Sequence, residues 1–131
     1  MKLTLRQRML PALFAALALL AISMAEGAVL DDCRQSGKNP VQISSCLREA
    51  QIKADDALSA TVAQTRKQIG NKPQALRSFD TGQQDWQIRR SRECRRRFDK
   101  EAPGNAAGEI RIACEIELAR ERLAAIGGNK P

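Results

Sequence analysis

The sequence predicts an all-α protein, and three observations carry that reading. No stretch alternates apolar and polar residues with the period of two expected of a half-buried strand. Tyrosine is absent and phenylalanine occurs three times in 131 residues, too sparsely for a sheet. Pro, Gly and Asn punctuate the chain at Gly37-Lys38-Asn39-Pro40, Gly70-Asn71-Lys72-Pro73 and Pro103-Gly104-Asn105. Between these breaks, apolar residues recur every three or four positions, the helical spacing.

The chain opens with Lys2, Arg6 and Arg8, an apolar run from Leu10 to Ile22, and small residues at Ser23-Met24-Ala25. A basic n-region, an apolar h-region of about 12 residues and a small-residue cleavage site make a secretory signal peptide. Residues 1–25 are therefore expected to be removed by cleavage after Ala25, leaving residues 26–131 as one exported domain, periplasmic or secreted. A spanning helix needs about 20 apolar residues, and here polar positions begin at Ser23. The cleaved chain keeps 19 Lys+Arg against 15 Asp+Glu, a net charge of +4. A domain this small buries a little over about 60% of its unfolded surface and needs reinforcement.

Residues 26–38 read as an N-terminal arm. The first long helix runs from Pro40 to Ile69: Asn39 is a capping residue, Pro40 pre-sets the first-turn φ, Gln42 stands where a capping box wants it, and Gly70 stops the helix. Its seam is Ile43, Cys46, Leu47, Ala50, Ala54, Ala57, Leu58, Thr61 and Thr65, small enough for a close neighbour. The second helix, Pro73 to Phe98, turns Leu76, Phe79, Gln83, Trp86, Arg90, Cys94 and Arg97 to one side and Arg89, Arg92, Arg95 and Arg96 to the other. The third, Ala106 to Ala125, is closed by Gly127-Gly128. It carries two apolar stripes, Ile112, Ile116, Ala119, Leu123 and Ile126, then Ile110, Cys114, Leu118 and Ala125, so it should touch two neighbours or a second chain. Short connections make the simplest topology an antiparallel, disulfide-stapled three-helix arrangement, up-down-up.

Four cysteines behind an export signal imply two disulfides. Of the three connectivities, the hairpin geometry favours Cys94 with Cys114, each ten residues from Gly104, and leaves Cys33 with Cys46. Such bridges contribute roughly 2–4 kcal/mol each.

Histidine is absent, which removes the commonest general base, triad member and neutral metal ligand together. The cysteines lack the short C-x₂₋₄-C spacing of zinc sites, so neither a metal nor another cofactor is expected. The adjacent pairs Asp31-Asp32 and Asp55-Asp56 diverge by 100° on a helix and read as solvated charges, with Asp55 flanking the seam. No catalytic residues emerge, and the protein is expected not to be an enzyme.

Two clusters remain. Arg89, Arg92, Arg95 and Arg96 form an exposed cationic stripe that suits a helix C-terminus or contact with anionic lipid or glycan. Specific nucleic-acid binding is not expected, since aromatic residues for base stacking are too few. Gln83, Trp86 and Arg90 share one stripe and admit two readings. The favoured one is a buried polar network in which Arg90 pairs with Asp55 or Glu117, Gln83 satisfies backbone groups and Trp86 fills the core. The other is a recognition groove anchored by Trp86.

These spacings resemble the LprI-type lysozyme inhibitor domain, a family of small exported bacterial proteins, over about Cys33 to Ile126. The family pattern has an early cysteine pair, an Asp-x-x-Leu-Asn-x-x-Tyr helix, a Gln-x-x-Trp followed by Arg and Cys at intervals of four, a Gly-containing loop, another Cys and a late Arg. Here Asp55 and Leu58 match the first motif, Gln83, Trp86, Arg90 and Cys94 the second, and Cys114 with Arg122 the end. Ser59, Val62, Ser91 and Phe79 depart from the usual Asn, Tyr, acidic residue and Leu. The resemblance implies a non-enzymatic binding protein that occludes a lysozyme or related wall-cleaving enzyme, with Gln83, Trp86, Arg90 and Arg122 as partner-binding candidates. A chain at +4 draws no long-range attraction from a basic enzyme, which leaves the contact to local patches such as Asp31-Asp32. The alternative is an envelope-associated protein that holds anionic lipid or glycan on the arginine stripe.

Overall fold

The computed structural model describes residues 27–128; the expected leader, residues 1–25, lies outside them. Four helices follow in order: α1 Ala28–Ser36, α2 Pro40–Ile69, α3 Pro73–Glu101 and α4 Ala107–Gly128. The described residues are all-α, as the periodicity predicts, and none of their helices is long and apolar enough to cross a membrane.

The expected arm is itself a helix. In α1, Val29, Leu30 and Cys33 recur at helical spacing and are buried against α2 and α4. Gly37 then turns the chain sharply. A Cβ there would lie 2.7 Å from Ile43 Cγ1 and 2.9 Å from the Cys33 carbonyl oxygen, so only glycine fits the approach of α1 to α2.

α2 begins as the capping signals predict. The Asn39 side chain accepts from the Gln42 N–H at 3.0 Å, and the Gln42 side chain accepts from the Lys38 N–H at 2.7 Å. The first bond satisfies an otherwise orphaned helix donor, and the second reaches one residue before the Asn39 N–H that a capping box would engage. Gly70 ends α2 at φ +62°, a conformation open to glycine at little cost. α3 and α4 each run slightly past their expected ends, and α4 includes both Gly127 and Gly128. Glycine weakens a helix by about 1 kcal/mol but does not forbid one.

α4 packs along both α2 and α3, which touch each other only sparingly. This is the physical meaning of its two apolar stripes, although Ala125 at the end of one stripe is exposed. Leu47, Ala54 and Leu58 of α2, Trp86 of α3, and Ala113, Ile116 and Ala119 of α4 form the core with the α1 residues. Val62, outside the expected α2 seam, also packs against it. Both bridges form as the hairpin geometry favours: Cys33–Cys46 with a Cα–Cα distance of 5.7 Å and Cys94–Cys114 at 5.5 Å. The first fixes α1 to α2, and the second fixes α3 to α4.

Candidate functional site

The three stripe residues of α3, Gln83, Trp86 and Arg90, separate into an inner and an outer group. Trp86 is buried, 9% exposed, in the core cluster. One turn on, the Arg90 guanidinium lies 5.4 Å from the Trp86 ring centroid, within cation–π range. Its Nη2 donates to Asp55 Oδ1 at 2.8 Å and its Nε donates to the Glu115 backbone carbonyl at 3.0 Å. Arg90 thus joins all three long helices, with its side chain 17% exposed. Asp55 is one of the two carboxylates expected from sequence, and Asp56 is exposed.

Glu117, the other carboxylate considered for Arg90, is engaged elsewhere. It accepts from the Gly27 backbone N–H at 2.5 Å and faces Arg97 Nη1 at 3.5 Å. Glu115 is a further hub, accepting from Gln51 Nε2 at 2.7 Å and Arg111 Nε at 3.1 Å. Its i,i+4 spacing from Arg111 was the available sequence signal, but nothing local points to Gln51.

Gln83 departs from expectation. Its side-chain oxygen accepts from Arg122 Nε at 2.5 Å instead of meeting backbone groups, because Arg122 on α4 arrives opposite it. This pair borders an open depression between α3 and α4, lined by Gly82, Asp85, Ile88, Arg89 and Arg122. Ile88 is 49% exposed. The sequence reading missed Gly82, although a glycine inside a helix costs about 1 kcal/mol and asks for a reason.

The arginine stripe is exposed along its length. Arg95 donates to Asp99 Oδ1 at 3.0 Å, and Arg96 makes two bonds to Glu93 at 2.7 and 2.9 Å. Among the described residues, Arg89 and Arg92 have no ion-pair partner. Hydrogen bonds from Arg96 and then Arg97 hold the Glu93 carboxyl down to about 2, against an ordinary value of 4.5. In return, Glu93 raises the Arg96 pKa.

With the geometry in place, comparison with known proteins decides the family. A family model described as Lysozyme inhibitor LprI matches residues 31–126, nearly all of the described helical domain. The chain belongs to the LprI family. No curated protein and no solved structure matches it. The match begins in α1 and ends in α4, so it takes in both disulfides of the LprI domain and the Gln83–Arg122 pair. Of the four partner-binding candidates, Trp86 and Arg90 lie within the inner network, while Gln83 and Arg122 stand at the half-buried border of the depression.

Proposed function

We propose that this protein is an exported, non-enzymatic binding protein, residues 26–131 after loss of the leader, that inhibits a lysozyme or related wall-cleaving enzyme by occluding its cleft. Membership of the LprI family over residues 31–126 is the observation that carries this reading. The absence of histidine from the sequence supports a role in binding over one in catalysis. The disulfides support export, since such bridges persist in oxidising compartments. The interaction surface assigned to the partner is the α3–α4 edge at Gln83 and Arg122, because Trp86 and Arg90 are occupied by the core. The test is a titration of the disulfide-intact domain into lysozymes of several classes, followed by wall-lysis rate and calorimetry. Dose-dependent inhibition is expected; neither inhibition nor heat at micromolar excess would sink the reading.

A second reading, contact with anionic lipid or glycan, is favoured by Arg89 and Arg92, which are exposed without partners among the described residues and sit beside the exposed Ile88. Such binding would fall steeply with ionic strength and vanish on neutralising Arg89, Arg92, Arg95 and Arg96 together. Binding to anionic vesicles that survived this quadruple change would exclude it.

A further inference from the structure

We infer that Arg122 and Arg89, which line one depression together with Gly82, form a site for a side-chain carboxylate of the partner enzyme. This rests on the inhibitory reading above and names the chemistry of its contact.

Arg122 is held by its Nε, which donates to Gln83 Oε1 at 2.5 Å. That bond fixes the guanidinium plane and leaves the Nη edge uncommitted. Among the described residues no carboxylate pairs with Arg122, and no buried side-chain nitrogen or oxygen lacks a partner. The remaining Nη donors therefore face solvent. An end-on guanidinium fork of this kind matches the two oxygens of a carboxylate.

Gly82 supplies the access. A Cβ built there would lie 3.9 Å from Arg122 Nη2, its only contact within 4 Å, so any longer side chain at this position would cover the fork. Arg89, two turns further along α3, brings a second unpaired guanidinium to the same depression. Asp85 lines it as well, leaving one net positive charge, and Ile88 offers an apolar rim. Most glycoside hydrolases carry a pair of catalytic carboxyl groups flanking the scissile bond. A cleft of that kind presents the ligand this fork accepts.

Two measurements test the site. In the first, inhibition and affinity are measured for whichever lysozyme of the panel the wild-type domain binds most tightly, using R122A, R122K, R89A and G82L. R122A, R122K and G82L should each weaken binding at least tenfold and R89A about fivefold. The lysozyme with its general-acid carboxyl changed to the amide should lose a similar factor against wild type. G82L removes a helix-interior glycine, so its melting temperature should not fall, which separates occlusion from unfolding. Wild-type affinity in R122K or G82L would overturn the carboxylate site while leaving the inhibitory reading intact.

In the second, sodium acetate is titrated into the ¹⁵N-labelled domain against sodium chloride at equal ionic strength. Saturable shifts of the arginine Nε–H signal of Arg122, abolished in G82L, are expected. If no lysozyme binds the wild type, the inhibitory reading fails and this titration alone judges the site. No acetate-specific shift would overturn it.

Discussion

Glu117 on α4 accepts a hydrogen bond from the backbone N–H of Gly27, 90 residues earlier in the chain, at 2.5 Å. The same carboxylate faces Arg97 of α3 at 3.5 Å and is 10% exposed. One side chain thus ties the start of α1 to the two helices joined by the Cys94–Cys114 bridge. E117A leaves the Gly27 donor and the Arg97 charge without this acceptor, so a loss of about 1–3 kcal/mol is expected. Denaturant melts of the disulfide-intact domain would measure it. The proposed cleavage after Ala25 would leave Gly27 as an internal amide able to make this bond; trimming through Gly27 should reproduce much of the loss.

Trp86 fills core space, whereas Arg90 completes a network, and their truncations should differ in size. W86A is expected to cost about 3–5 kcal/mol, as buried aromatic truncations do. R90A removes the bonds to Asp55 and the Glu115 carbonyl and should cost about 1–3 kcal/mol. A double-mutant cycle with D55N should show coupling between Asp55 and Arg90. Unchanged melting in W86A would contradict its place in the core.

Glu93 links stability to acid pH. Its folded pKa, about 2, lies below the ordinary 4.5, so the folded state binds the proton more weakly than the unfolded chain. Its contribution is full above about pH 4.5 and is lost as pH falls from there toward 2. Because the carboxylate is in contact with solvent, the effect is screened and should stay below about 1 kcal/mol. In E93Q, the slope of stability against pH between 4.5 and 2 should flatten, while the profile above pH 6 keeps its shape.

The Cys94–Cys114 bridge fixes the register of α3 against α4 and hence the meeting of Gln83 with Arg122. Replacing both cysteines by serine should cost about 2–5 kcal/mol. Partner binding should fall further than the lost folded fraction explains, since the α3–α4 edge loses its clamp. C33S/C46S, which frees α1 from α2 instead, should destabilise the domain while leaving the affinity of the folded fraction nearly unchanged.

What the sequence determined by itself was local. Asn39, Pro40, Gln42 and Gly70 mark the ends of α2 through hydrogen bonds and φ preferences that span only a few residues. The seams on α2 and α3 follow from a period of 3.6, and Gly104 midway between Cys94 and Cys114 selects a hairpin pairing. The LprI motif spacings were legible for the same reason, because they are intervals along helices. The tertiary structure decided which side chains meet. Arg90 had two candidate carboxylates, and the rotation of α4 gave it Asp55 while turning Glu117 toward Gly27 and Arg97. Gln83 found Arg122, Glu115 found Gln51, and the N-terminal arm became α1 once α2 and α4 offered an apolar surface to cover. Each of these choices depends on the angles and offsets between packed helices, which arise from the whole core and have no signature in any one segment. The depression over Gly82 belongs to this second class: a missing side chain acquires meaning only when Arg122 of another helix lies behind it.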